Sequence, residues 1–484
     1  MPTSLSSQIW SPPAFQHLLP IDLPAIDLPP PSAVYIPPAK VAPASPREFG
    51  FGILSAFCNP EIVDRALAEC DRQEQRCRLL PGRLTVYATL FMCLRPDLSY
   101  EKLMHHVAGT APSPGSWSVP NRSSFARARA RLGWEVMERL FRVHARPLAE
   151  AQAACCFWRG HRVMAIDGTT MELVDNPELD KAFGGQTDKK GRRVGAPMLR
   201  AVSLAECGTR AMMDVELAHY DVGENELATR LIRSIRPGML VLCDRNFSSV
   251  ELWRKFLDAG ADLVWRAKST IANRIVRHLP DATYLASYGS GKRTVTVRVI
   301  EYTVEGSDEV YRLLTNLLDP ATAPAEELAR LYTERWEVET SYKELKTYQS
   351  QGLPLRSLTE DGVRQEFWAH CLLYDINRQL AYQAAMLIEE RDPDRISFTL
   401  AKDAVGRSVG RVAGLKVSRL KAAVERAVGE LTPDRAQVSR RDRGCPRIVR
   451  HKGHKYASRA LHDGPVSTRK SRRPEIFPLA PKSA

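Results

Sequence analysis

The chain has 484 residues, 44% hydrophobic and 26% charged, enough apolar sequence for a substantial core split into roughly two or three domains, which excludes wholesale disorder. Lys and Arg number 69 against 56 Asp and Glu, a net +13 that suits a polyanion partner without proving one. No run approaches the ~18 consecutive apolar residues of a membrane span, and the start MPTSLSSQIW lacks the basic and apolar regions of a secretion signal, so a cytosolic protein is expected.

The first 48 residues hold 12 of the 33 prolines, and residues 1–48 read as a Pro-rich N-terminal arm. Residues 49–150 read as a helical domain, from the patterns NPEIVDRALAEC, TVYATLFMCLRP and SSFARARARLGWEVMERLF. In the last of these, Arg127 and Arg131 share a face, with Arg129 turned away; the pair suits phosphates or simply a solvated helix.

After Cys156 the texture changes. HRVMAIDGTTMEL, MLRAVSLAECG, AMMDVELAHY and GMLVLCDRNF contain strands, while ENELATRLIRSI, SSVELWRKFLDAG and the segment around Glu339 are helical, which makes a mixed α/β domain. A β-rich stretch over about 264–319 reads as an antiparallel insertion, and Arg364 to Met386 as a helix packed on the core. Residues 391–434 read as a helical C-terminal extension. The last 50 residues hold 14 Lys and Arg with three acidic residues, +11 of the chain's +13, and read as a flexible tail able to lie on nucleic acid. The ten cysteines show no ligand spacing; Cys58, Cys93, Cys155, Cys156, Cys243 and Cys371 sit among apolar neighbours as reduced, mostly buried side chains.

Two aspartates end apolar runs. Asp167 follows VMAI and should sit at a strand's mouth where the backbone turns; Asp244 follows MLVLC in the same manner. Either alone is more often a turn or cap residue. On neighbouring strands the two would converge at one sheet edge, where hard divalent cations neutralise carboxylates and bridge to a phosphate. In LYTERWEVETSYKELK, the residues Tyr332, Arg335, Glu339 and Lys346 stand at offsets of 3, 7 and 14 from the first, one face of a helix at 3.6 residues per turn. Glu334, Glu337 and Glu344 point mostly elsewhere. A salt-bridged surface helix has the same composition, so it is the three features together that point to metal-dependent phosphoryl transfer. A glycosidase would need only two acids with aromatic sugar platforms, which the Arg- and Lys-bearing helix does not resemble.

The spacing Tyr, two residues, Arg, three residues, Glu, six residues, Lys resembles the IS4 family of insertion-sequence transposases, DDE enzymes with a ribonuclease-H-like core. The resemblance runs from Phe49 to about Glu390, through AIDGTT, GAPMLRAVSL, CDRNF, RLLTNLLD and GVRQEFWAHCLLYDINR. It implies a ribonuclease-H-like catalytic domain over 151–390 behind an N-terminal helical DNA-end-binding domain. Asp167, Asp244 and Glu339 would be the catalytic acids and hold two Mg²⁺ (or Mn²⁺) ions.

Tyr332, Arg335 and Lys346 would position phosphates, with Arg266 of VWRAK a further phosphate contact or a core ion pair. The β-rich insertion would hold an everted base during hairpin formation, through Tyr311 where the family places a Trp, or through Trp265. The partners implied are double-stranded DNA, namely terminal inverted repeats and target, in a homodimeric paired-end complex. The expected location is the cytoplasm of a bacterium, associated with its nucleoid. An inactive transposase-derived DNA-binding protein and a structure-selective nuclease remain the alternatives.

Overall fold

The first helices follow their apolar periodicity: α1 (Ile53–Phe57), α2 (Pro60–Glu69), α3 (Gly82–Leu94), α4 (Tyr100–Ala108), α5 (Arg122–Leu132) and α6 (Glu135–His144). The computed structural model describes residues 49–76, 78–111, 117–150, 153–268, 274–304, 310–388, 392–410, 417–432 and 476–478. α3 is apolar all round and buried from Leu84 through Leu94, so it forms the centre of the bundle. Asn59, Ser99 and Asn121 cap α2, α4 and α5 by accepting from main-chain N–H groups. The arginine-rich pattern that reads as one segment breaks at Gly133, whose φ of +73° suits glycine, and so becomes α5 and α6. Arg129 does turn inward: it donates to Gln365 Oε1 at 2.8 Å and Ser357 Oγ at 3.0 Å, while Arg127 and Arg131 stay exposed.

The second part is built on one sheet. Its elements are β1 (Phe157–Trp158), β2 (His161–Glu172), α7 (Pro177–Phe183), β3 (Met198–Glu206), β4 (Met212–Ala218), α8 (Glu224–Arg230), β5 (Met239–Cys243), α9 (Val250–Asp258), β6 (Asp262–Arg266), β7 (Arg274–His278), β8 (Tyr284–Tyr288), β9 (Val295–Val304) and β10 (Tyr311–Thr315). Then come α10 (Ala325–Leu331), α11 (Trp336–Lys343), α12 (Glu360–Met386), α13 (Phe398–Ser408), α14 (Val417–Leu431) and β11 (Ile476–Pro478). The strand order is β4-β3-β2-β5-β6-β10-β9-β8-β7. β2, β5 and β6 run parallel, and β3 and β4 antiparallel beside them, the ribonuclease-H-like arrangement of a mixed α/β core. The β-rich insertion continues this sheet: β10 pairs with β6, setting Leu313 opposite Arg266, and β9, β8 and β7 follow outward.

Alternation along the strands divides two cores. Val163 and Ala165 of β2 face the helical bundle and α12, while Met164 and Ile166 face α8 and α9. α12 is buried along nearly its whole length and carries the bundle, with Trp368 against Phe141 at 5.3 Å between ring centroids. α13 and α14 pack on α12, and α14 also on α1. Ile476–Pro478 pairs antiparallel with β9; the remainder of the basic tail and the Pro-rich arm lie outside the described residues. No disulfide joins the cysteines among the described residues, and apart from half-buried Cys70 and Cys155 they are buried. Among the described residues no helix is long and apolar enough to cross a membrane.

Candidate active site

Parallel pairing of β2 with β5 sets Ile166 opposite Cys243, so Asp167 and Asp244 come next on adjacent strands that stand ~4.8 Å apart. The expected turn at Asp167 is absent. β2 runs on to Glu172 because β3 keeps pairing with it, Asp167 opposite Ser203 and Glu172 opposite Met198. Only the partnership with β5 ends at Ile166, which leaves Asp167 at the carboxyl end of the parallel ladder although it lies mid-strand. Asp244 does leave its strand: its Oδ1 accepts from the Asn246 N–H at 2.7 Å and caps a short 3₁₀ turn, Arg245–Phe247.

The helix with the third acid is not uniform. Tyr332–Arg335 is a 3₁₀ turn, Trp336–Lys343 is α-helical and Glu344–Gln349 is a π turn, so a constant 3.6 residues per turn does not apply. The 3₁₀ turn stacks Tyr332 directly over Arg335. Arg335 is buried and reaches both strand and helix: Nη2 donates to Glu339 Oε1 at 2.7 Å, and Nη1 stands 3.6 Å from Asp167 Oδ2. Burial opposes its charge, but Tyr332, Glu339 and Asp167 together hold it protonated.

Burial pushes the Asp167 carboxyl up to about 7. Arg335 and the Gly168 N–H pull against this, while Glu339 and Asp244 add to it. Burial holds the Lys346 ammonium below its ordinary value, with Asp167 opposing. Tyr332 is buried, and its phenol donates to the Cys243 main-chain oxygen at 3.1 Å, one residue before Asp244.

Thus Asp167, Asp244, Glu339, Arg335, Lys346 and Tyr332 share one sheet edge. Arg266 ends β6 beside them, with its guanidinium carbon 4.2 Å from the Tyr311 ring centroid, and Tyr311 stacks on Tyr302 at 5.3 Å. Trp265 lies elsewhere. It is 1% exposed and packs edge-on against Trp253 and Phe256 in the core under α9.

Two family models match in succession: "Insertion element 4 transposase N-terminal" over residues 48–142 and "Transposase DDE domain" over 158–376. The chain belongs to the IS4 family of DDE transposases. It is 28% identical over 423 residues to transposase InsG for insertion sequence element IS4 of Escherichia coli (strain K12), covering 83% of this chain and 92% of that protein. Putative transposase InsZ of the same organism is 28% identical over 42% of this chain and 67% of its own. A chain of the piggyBac transposase synaptic complex with hairpin DNA aligns at a TM-score of 0.41 and 11% identity, covering 79% of this chain and 85% of that one.

DDE transposase domains generally use divalent metal ions. Among the described residues no three carboxylate, His or Cys side chains are already gathered as a metal site. The donor chemistry nevertheless fits a hard cation. Three carboxylates lie along one edge, Glu339 and Asp244 both near enough for their charge to act on Asp167, and Arg335 holds Asp167 and Glu339 in a cation's place.

Three residues of this transposase escaped the sequence reading. Tyr342, three residues beyond Glu339, donates its phenol to the Asp167 main-chain oxygen at 2.6 Å and accepts from the Ser203 N–H at 3.0 Å. Its i+3 spacing from Glu339 was the available signal. Arg210, in the turn between β3 and β4, bonds to Glu337 and to Glu344 Oε1 at 3.0 Å, and lies 3.6 Å from Asp394. Those acids face away from the edge because they hold the helix from behind. Glu224, first residue of α8, lies against Gly168, and no sequence spacing marks it.

Proposed function

We propose that this IS4-family transposase cleaves DNA at the inverted-repeat ends of its element and joins those ends to target DNA, with two Mg²⁺ or Mn²⁺ ions held by Asp167, Asp244 and Glu339. The observation that carries the reading is the level placement of Asp167 and Asp244, each one residue past the last β2–β5 pair, with Arg335 linking Asp167 to Glu339 from the facing helix. Bound cations supply Lewis acidity, activating water or a terminal 3′ hydroxyl and stabilising the leaving oxygen.

The chain's own residues do the rest. Asp167 and Asp244 fix the donor set on a rigid sheet, and Glu339 approaches from α11 once Arg335 lets it go. Arg335 and Lys346 then face the phosphates flanking the scissile bond, and their charge favours the in-line geometry. Tyr332 keeps the 3₁₀ turn seated on the Cys243 carbonyl, so its ring rather than its hydroxyl borders the DNA. Arg266 and Tyr311 form a cation–π pair at the edge and are the candidates for contacts to a displaced strand.

The helical bundle reads the terminal repeat, and two chains act on two ends, excising the element through a hairpin and inserting it elsewhere.

The test uses purified protein with labelled duplex ends from the flanks of its gene and supercoiled target, in Mg²⁺, Mn²⁺ or chelator, with Asp244→Ala as control. Metal-dependent, Asp244-dependent cleavage and joining is expected. Binding without either product would favour an inactive DNA-binding protein, and cleavage without joining a structure-selective nuclease.

A further inference from the structure

Glu224 opens α8, which crosses from β4 to β5 on the sheet face opposite α11. Its carboxylate lies against the backbone of Gly168, the residue after Asp167: a methyl on Gly168 would stand 2.4 Å from Glu224 Oε1 and 2.5 Å from Cδ. α8 also packs on the 3₁₀ turn that Asp244 caps. A half-buried carboxylate therefore lies at the backbone one residue past Asp167, where Gly168 leaves room for it, and within reach of the Asp244 charge. Among the described residues its ion partner is Arg200, whose Nη1 is 3.8 Å away, beyond hydrogen-bond reach, with its guanidinium over the Tyr220 ring at 4.7 Å. An acid kept near Asp244 without a hydrogen-bonded counter-charge carries a cost that a cation removes.

We infer that Glu224 is a fourth carboxylate of the catalytic centre, bearing on the divalent cation between Asp167 and Asp244 from the face opposite Glu339. This rests on the reading of Asp167 and Asp244 as cation ligands. Glu224 is a positioning residue, accepting hydrogen bonds from the ion's water shell and orienting it toward the two aspartates.

The test is Mn²⁺ binding by the full-length protein without DNA, reading free Mn²⁺ by electron paramagnetic resonance, with thermal unfolding in chelator as a check on folding. Glu224→Gln removes the charge and keeps the shape. Gly168→Ala keeps the acid and displaces it. Both are expected to weaken Mn²⁺ binding by about 10-fold, the usual size of an outer-shell effect. Arg200→Met removes the ion partner of Glu224 and is expected to leave binding unchanged or tighter.

Wild-type affinity in Glu224→Gln and Gly168→Ala, with weakened binding in Asp244→Asn, would overturn the proposal and leave Glu224 an anchor of α8. Wild-type affinity in Asp244→Asn would instead remove the cation reading of the site, and this inference with it.

Discussion

The phenol of Tyr342 donates to the main-chain oxygen of Asp167 at 2.6 Å, so the helix carrying Glu339 is registered on the strand carrying the first acid. The phenolic oxygen of Tyr342 in turn accepts from the Ser203 N–H at 3.0 Å, and the Ser203 hydroxyl lies 2.8 Å from it. Tyr342→Phe leaves buried polar groups short of partners, at a cost of about 1–3 kcal/mol. Misplacing Glu339 should cost more in rate than in stability, roughly 10-fold or greater in cleavage by a protein that still melts cooperatively. Cleavage at the wild-type rate would show that the hydroxyl does not set the register.

Arg335 bridges two of the three acids and offsets one of their charges before any cation arrives. Arg335→Met is expected to destabilise the metal-free protein by about 1–3 kcal/mol, less than for a fully buried pair because Glu339 is 38% exposed. Mn²⁺ should restore more stability to this variant than it adds to the wild type, since the ion replaces the missing charge. Melting curves in chelator and in Mn²⁺ decide; equal metal increments would contradict the exchange.

The Asp167 carboxyl, pushed up to about 7 chiefly by burial, ionises near 4 when unfolded. Between those values the folded state binds the proton more tightly, so this group's contribution to stability falls as pH rises from ~4 to ~7. Asp167→Asn should therefore stabilise the protein in chelator at pH 8, by on the order of a few kcal/mol at most and seen as a raised melting temperature, with a gain that shrinks toward pH 4. Mn²⁺ competes with the same proton, so wild-type affinity should weaken as pH drops below about 7. A melting difference that does not vary with pH would place the shifted group elsewhere.

Behind the helix that carries Glu339, Arg210 binds Glu337 and Glu344, and Glu344 is also held by Arg378 and by the Tyr374 hydroxyl at 3.0 Å. Arg210→Met strands buried carboxylates and should cost about 3–5 kcal/mol, against less than ~0.5 kcal/mol for the exposed Arg127→Met. Denaturant unfolding of the two variants measures the contrast.

Lys346 lies in the π turn with its ammonium desolvated near Asp167. If it meets a phosphate, Lys346→Ala should weaken binding to end DNA at low salt and reduce the slope of log affinity against log salt by about 1. An unchanged slope would assign Lys346 to the acids alone.

Apolar alternation around VMAID and MLVLCD marked two strands, and Tyr332, Arg335, Glu339 and Lys346 were legible because residue spacing along a helix is a local property. Local rules failed where a distant partner intervened. β2 passes Asp167 without turning because β3 goes on pairing with it, and the helix tightens at Tyr332 and widens at Glu344 while packing on the sheet and on α12. Trp265 of VWRAK and Tyr311 of VYRLLTN, both candidate stacking aromatics in sequence, separate because alternation on the paired strands β6 and β10 puts them on opposite sheet faces, Trp265 beneath α9.

The sequence by itself determined the kinds of element and the family, and it marked the three candidate acids, since each is carried by short-range pattern. Only the tertiary structure decided that Asp167 and Asp244 are neighbours, that Arg335 bridges strand to helix, that Arg210 holds the helix from behind and that Glu224 fills the space at Gly168. Those four relations reach between residues from 56 positions apart, Gly168 to Glu224, to 168, Asp167 to Arg335, and no local periodicity encodes such a contact.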